Sequence, residues 1–530
     1  MQDFAQIPLG ESGQPELRFV ARAAAAASDF FGAGDALACL VGPDDLPQLA
    51  AGAARTGLLG RIADLVDGDL ADLAPPDPER HDASPERSRR TYVYPWNGHR
   101  RRLAAVALGE GAGAAHLRVE GDRLARALNK TGQRLGIVLG GRWASDPASL
   151  AALAEGLTYG NFSWRKFKTR EPRRGLEEVA VLTDGEPSAA THEALARGAA
   201  LARAAVLARG LTLEPPERLD PPRLAARALE IAAPLETVRC ESWSEERIRA
   251  ERLAGLLAVG RGSAKPVAQI EYVYTPPGGA SRTVVLVGKG VTYDCGGLQD
   301  KGVNMNHMHR DMAGAAAVVA MMVALDRLRP PVRVVGLAGA AENMDGPNAY
   351  KTDEVIVHRD GKTTSVGHTD AEGRLVLYDQ LVYARETHDP ELIIDMATLT
   401  GAVKLALGTD TYGVMSNEKG RAARERLLVA ARRAGEKAWP LPLDHDLPNS
   451  EHVIADYEKS YSKSMAGAYT DLDNNGKRDY GAGTCRGGAF LEEAIAGRAA
   501  WLHLDIAYTG MDGPTGSPVP TLCHLLLDES

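Results

Sequence analysis

RTVVLVGKGVTYDCGGLQDKGVNMNHMHRD, residues 282 to 311, is the stretch on which the reading of this chain turns. It opens on a nearly unbroken run of Val and Leu, the pattern of a strand covered on both faces rather than one facing water. Three later runs share that pattern: VRVVGLAGA at 332–340, ELIIDMATLTG at 391–401 and AAWLHLDIA at 499–507. Helical patterns such as MAGAAAVVAMMVALDRL, 312–328, lie between them. The alternation from Pro222 onward predicts an α/β fold with a doubly wound, mostly parallel sheet. Ligands in such sheets sit at the carboxyl ends of the strands, and acidic residues gather there in this sequence.

Working outward, Lys289 stands between Gly288 and Gly290 at the end of the apolar run, which predicts a sharp turn that leaves its ammonium in a site. Asp294 follows in a loop tightened by Gly296 and Gly297, and Asp311 directly precedes the small-residue helix. Read by itself, Asp311 is a helix N-cap, where a carboxylate satisfies an orphan N–H. A second stretch, HTDAEGR at 368–374, carries Asp370 and Glu372 one residue apart. In extended backbone their carboxylates point to one side and repel unless cations lie between them. Lys301 and Arg374 are spare cations of the same two loops. Several carboxylates without a thiolate suit hard or borderline divalent ions, and two such ions need bridging acids.

The first 186 residues read as a smaller N-terminal α/β domain. Helical patterns at Leu17 to Phe31, Leu46 to Leu65, Leu124 to Leu128 and Leu150 to Leu157 alternate with the strands RLGIVLGG and EVAVLTD. Residues 187–221 form a connecting helix and linker, an Ala-rich run stopped by LEPPERLDPPRL. Residues 222–530 make the second domain.

Composition sets the class. With 530 residues and 44% hydrophobic content the chain can bury a large core in two or more domains. Its formal net charge of −9 disfavours nucleic acid as the default partner. Five scattered cysteines without a CxxC pair fit a reducing compartment and exclude a zinc ribbon. No basic leader or apolar run of membrane-spanning length is present, so the expectation is a cytoplasmic protein with no membrane contact.

Taken together, VGKGVTYDCGG, Lys301, RDMAGAAA and TDAEGRLVL resemble the leucyl aminopeptidase family of dinuclear metallopeptidases. GLLAVGRGSAKP, GLAGAAENMDGPNAYKTDEVIV, DMATLTGAVKLALG and AWLHLDIAYTG extend that likeness in order, over roughly 190 to 520. The resemblance implies two divalent metal ions per chain, zinc or manganese, with magnesium and cobalt as alternatives. Lys289, Asp294, Asp311 and Glu372 would hold one, and Asp294, Asp370 and Glu372 the other. It further implies Lys301 as oxyanion stabiliser, Arg374 as the holder of a bicarbonate ion, and Met308, Thr398 and Gly401 as the pocket for the substrate's first residue. The implied activity is release of apolar N-terminal residues such as Leu from peptides, in a homohexamer. Two other readings are a non-catalytic or nucleic-acid-binding relative using the fold as a scaffold, and a narrow dipeptidase or amidase.

The chain departs from the family pattern at several points. The Lys301–Asp311 spacing is one residue short, and Gly302, His368, Cys295 and Leu213 replace the usual Pro, Asn, Ser and Asn. The nearby His307, His309 and His368 are expected outside the metal shell, and Cys295 as a small buried residue. Two further segments invite a function. DLDNNGKRDYGA, from Asp471, begins like a calcium loop but ends on Ala482 where a Glu is required. RSRRTYVYPWNGHRRR, 87–102, interleaves arginine with aromatics as a nucleic-acid surface does, yet its period-two pattern and PWNG turn predict an amphipathic hairpin.

Overall fold

The computed structural model describes residues 17–23, 36–41, 89–96, 99–107, 113–128, 134–169, 175–183, 185–280, 282–443, 470–474 and 482–528. The chain divides into two compact units, one ending at Arg203 and the other running from Ala204 onward. The division falls inside the helix Ala189–Thr212.

The first unit is built on a six-stranded sheet. Its strands are β1 (Arg18–Ala23), β2 (Ala36–Val41), β3 (Arg89–Trp96), β4 (His99–Ala107), β5 (Arg134–Leu139) and β6 (Glu178–Thr183). They lie in the order β1-β6-β5-β2-β4-β3, all parallel except the β3–β4 hairpin. That hairpin is the arginine- and aromatic-rich segment, with Trp96 paired to His99 next to the turn. Helices Ala114–Leu128 and Pro147–Gly160 pack so closely that a Cβ on Gly156 would lie 1.9 Å from the Arg118 carbonyl oxygen.

The helix expected over Leu17 to Phe31 does not begin as one, and residues 24–31 lie outside the described residues. The segment from Leu17 is a strand over Arg18–Ala23, paired with β6, and Arg18 and Arg22 both reach Glu178, at 3.1 and 3.4 Å. Phe19 and Ala21 turn to the core while the arginines stay on the opposite face, a period of two that the following Ala run masked. Residues 46–65 lie outside the described residues.

The second unit carries an eight-stranded sheet in the order β15-β14-β17-β13-β9-β10-β8-β7. The strands are β7 (Val238–Trp243), β8 (Ala268–Tyr274), β9 (Thr283–Asp294), β10 (Arg333–Asn343), β13 (Leu392–Ala397), β14 (Thr411–Ser416), β15 (Lys437–Pro440) and β17 (Ala500–Asp505). The four central strands, β17, β13, β9 and β10, run parallel and correspond to the four apolar runs of the sequence. Alternate residues serve opposite faces. Val285, Val287, Val335, Leu337 and Ile393 join a core with the helices Ala254–Gly260, Gly373–Thr387 and Gly483–Ile495. Val284, Leu286, Val334 and Ile394 are as deeply buried on the other face. There Gly336 lies against Val318 and Met322 of the helix Ala313–Leu328. A small third sheet joins β11 (Val355–Val357), β12 (Thr363–Ser365) and β16 (Leu472–Asp473). Among the described residues no helix is long and apolar enough to cross a membrane.

Candidate active site

Strand β13 parts from β9 at the pair Met396–Gly288, one residue before Lys289. The end of β9 therefore continues beside β10 alone, and the opened side receives the site. The glycines around Lys289 do not make the predicted turn, because the backbone stays in the strand through Asp294. They permit close approach: a Cβ on Gly288 would lie 2.4 Å from the Gly314 carbonyl oxygen, and one on Gly290 2.5 Å from that of Gly339. Lys289 is 2% exposed. Its Nζ lies 2.7 Å from Asp311 Oδ2 and 2.8 Å from Glu372 Oε1, and donates to the Thr398 carbonyl at 3.0 Å.

Asp294 is fixed by the loop that follows it. Gly296 and Gly297 take positive φ, and the Gly296 N–H donates to Asp294 Oδ1 at 2.9 Å. Asn343, at the end of β10, donates to the same oxygen at 2.8 Å. The other oxygen is 2.7 Å from Lys301 Nζ, which also pairs with Asp370 Oδ1.

Asp311 is not a cap. Met312 occupies the N-cap position of the following helix and supplies no side-chain bond, while Asp311 turns to Lys289 and accepts from Thr398 Oγ1 at 2.6 Å. Burial against an ammonium outweighs one orphan N–H at a helix start.

Residues 369–372 form a turn rather than the predicted extended segment, yet the two acids still converge. Ligand atoms of Asp294, Asp370 and Glu372 lie within 4.8 Å of one another. Thr369 ties this turn to the glycine loop: its Oγ1 donates to the Gly296 carbonyl at 2.6 Å and accepts from the Gln299 N–H at 2.9 Å. Tyr350 OH donates to the Thr369 carbonyl at 2.5 Å. Gly373 is required next, since a Cβ there would lie 2.7 Å from Lys289 Nζ.

The electrostatics favour added cations. Burial, reinforced by the Glu372 charge, pushes Asp294 and Asp370 above the ordinary carboxylate range, and burial pushes Asp311 up to about 7. Glu372 stays low because Lys289 and Lys301 offset its own burial. Both lysines are held as ammonium groups: burial alone would lower them, and the acids around them more than compensate. Four carboxylates thus face two ammonium groups, a surplus of negative charge. An oxygen-rich set gathered on surplus negative charge fits divalent ions, which Lys289 would join only by losing its proton to become a neutral amine.

Met308, Thr398 and Gly401 come together on one cavity of about 890 Å³, which Asp294, Asp311, Asp370, Glu372, Lys289 and Lys301 also line. Ala507, Tyr508 and Met511 complete its apolar side. Arg374 does not line it. Its guanidinium packs 6.0 Å from the Phe490 ring beside Arg486, and burial with that neighbouring charge lowers it to about 10. His307 and His368 border the cavity, and Cys295 is buried with Sγ 4.0 Å from the Gly297 carbonyl oxygen.

The residues that sequence reasoning missed are supports: Asn343, Tyr350, Thr369 and Asn474. All four lie inside stretches quoted above, Thr369 in HTDAEGR and Asn474 in DLDNNGKRDYGA, but as uncharged side chains among acids they carried no signal of their own. The start of the calcium-like loop is otherwise engaged, with Asp471 accepting from the Thr363 N–H and hydroxyl, each at 2.8 Å.

Residues 206–523 match the model of the cytosol aminopeptidase family, catalytic domain. A probable cytosol aminopeptidase of Chlorobaculum tepidum is 34% identical over 79% of this chain and 83% of its own length. One from Solibacter usitatus is 36% identical over 80% and 86%. Among solved structures, the bottromycin maturation enzyme BotP in complex with Mn is similar, with a TM-score of 0.73, 33% identity and coverage of 94% of this chain and 100% of that one. A mutant of tomato leucine aminopeptidase superposes with a TM-score of 0.78 at 26% identity, covering 98% of each chain.

Proposed function

The chain belongs to the cytosol aminopeptidase family and is a metal-dependent peptidase, and from this premise we propose that it removes apolar N-terminal residues from peptides with two divalent ions. The observation that carries the proposal is the convergence of Asp294, Asp370 and Glu372 beside the buried Lys289 and the half-buried Lys301. Lys289, Asp294, Asp311 and Glu372 would hold one ion, and Asp294, Asp370 and Glu372 the second. The manganese in the BotP structure favours Mn²⁺. Bound there, the ions supply Lewis acidity toward the scissile carbonyl and an acidified water.

The chain's own groups do the rest. Lys301, already an ammonium beside Asp294 and Asp370, donates to the oxygen on which charge develops as the carbonyl is attacked. Met308, Thr398 and Gly401 receive the first side chain, and the Met thioether and open Gly401 surface suit apolar groups. Arg374 would hold a bicarbonate ion for proton transfer only if its guanidinium turned from the Phe490 ring toward the cavity. The names of the relatives support a cytoplasmic setting. The homohexamer is carried forward from the resemblance, with sedimentation as its check.

The deciding experiment is hydrolysis of leucine p-nitroanilide with added Mn²⁺ by the wild-type chain, Asp294→Ala and Glu372→Ala. Activity in the first and its loss in both variants supports the proposal. A wild-type chain that binds two ions yet leaves a panel of aminoacyl amides intact overturns it.

A further inference from the structure

The Asp370–Glu372 turn lies outside any strand or helix, so its backbone polar groups need partners from elsewhere. One distant side chain, Asn474, bonds the Ala371 carbonyl within the turn and three backbone groups of Gly367 and His368 just before it. Asn474 is fully buried. Its oxygen accepts from the Gly367 N–H at 2.7 Å and the His368 N–H at 3.2 Å, and its amide donates to the carbonyls of His368 at 2.9 Å and Ala371 at 3.3 Å. Both donors and both lone pairs are used. His368, so held, accepts the Asp370 N–H on Nδ1 at 3.1 Å. The four bonds of Asn474 fall on residues preceding, or lying between, the two acids.

Asn474 is itself anchored. Leu472 and Asp473 pair with Thr364 and Ser365 as β16 against β12, and Asp471 grips Thr363. The clamp is thus tied to a small sheet apart from the strands that carry Lys289 and Asp294. We infer that Asn474 is a positioning residue of the metal centre: by holding 367–371 it sets the Asp370 and Glu372 carboxylates against Asp294. This rests on the two-ion reading above. Loss of such support around metal ligands costs about 10–100-fold in metal affinity.

Asn417 provides a matched control. It is buried, accepts from Gly420 N–H at 2.8 Å and Trp501 N–H at 3.1 Å, and donates to the Ala499 carbonyl at 2.9 Å, touching none of the acids. The test is calorimetric titration of Mn²⁺ into metal-free wild type, Asn474→Ala, Asn474→Ser and Asn417→Ala, with thermal unfolding of each metal-free form and leucine p-nitroanilide kinetics. Both alanine variants should lose thermal stability. Only the Asn474 variants should bind Mn²⁺ more weakly, by about 10–100-fold for alanine and less for serine, which keeps a hydroxyl. The half-saturating Mn²⁺ for activity should rise in step, with KM at saturating metal unchanged. If Asn474→Ala, or Asn474→Ser should alanine not fold, binds Mn²⁺ like wild type, Asn474 only stabilises the fold and the inference falls. Equal weakening in Asn417→Ala overturns it too. A wild type that binds no Mn²⁺ instead sinks the two-ion reading on which the inference stands.

Discussion

Lys289 Nζ lies 2.8 Å from Glu372 Oε1, and both side chains are almost wholly removed from solvent. Lys289 lies within β9 and Glu372 at the start of the helix Gly373–Thr387, and they meet only because that helix packs against β9. Breaking a buried pair by removing one partner leaves an uncompensated charge, at a cost of about 3–5 kcal/mol. Glu372→Ala should therefore lower the stability of the metal-free protein by about 3 kcal/mol and abolish tight metal binding. Urea denaturation and metal analysis after dialysis check both. A variant as stable as wild type would mean that Asp311 alone neutralises Lys289.

Metal binding should depend on pH in a stated direction. Burial places Asp311 at about 7, so below that pH a proton competes with the cation for its carboxylate. Apparent Mn²⁺ affinity should fall as pH drops through 7, and binding should release protons, measurable by calorimetry in buffers of different ionisation enthalpy. For the metal-free protein the sign reverses. A carboxyl raised in the folded state favours folding below its unfolded value of about 4 and loses that contribution as pH rises through 7. Proton uptake on metal binding would contradict this account.

Two glycines should fail in different ways. A Cβ on Gly314 would lie 2.1 Å from the Met396 carbonyl oxygen and 2.8 Å from Lys289 N, both rigid backbone atoms. Gly314→Ala should destabilise the fold by about 3 kcal/mol, read by denaturant unfolding. A Cβ on Gly373 would instead meet the flexible end of Lys289, 2.6 Å from Cε. Gly373→Ala should keep most of its stability but displace the Lys289 amine and weaken metal binding. Equal loss of stability in both would show that Lys289 has no room to move.

Gly401 should set the size of the first-residue pocket. A Cβ there would have only Tyr508 OH within reach, at 3.9 Å, and its φ of −65° suits any residue. Gly401→Val should lower kcat/KM for leucyl substrates by about 10–200-fold while sparing alanyl ones, since each misplaced methylene costs about 1–3 kcal/mol. Steady-state rates on both p-nitroanilides decide it; an unchanged leucine-to-alanine ratio would remove Gly401 from the pocket.

Much of the second unit was legible because local patterns and long-range burial agree there. The four apolar runs are the four parallel central strands, and Asp294 ends one of them. The strand at Arg18–Ala23 was misread because alanines carry a strong local helix preference, while its pairing with residues 178–183 lies far along the chain. Asp311 shows the same limit within the site, since an Asp before a helix is an ordinary cap until a buried lysine claims it.

The sequence by itself determined the family, the alternation of strands and helices, and which acids and lysines gather in two loops, because residue type and spacing record those directly. Only the tertiary structure decided which oxygen meets which ammonium, why the glycines beside Lys289 are needed, and that Asn474 closes the turn bearing Asp370 and Glu372. These depend on atoms brought within hydrogen-bond distance by chain segments more than a hundred residues apart, as Asn474 and His368 are, and no local pattern encodes such a meeting.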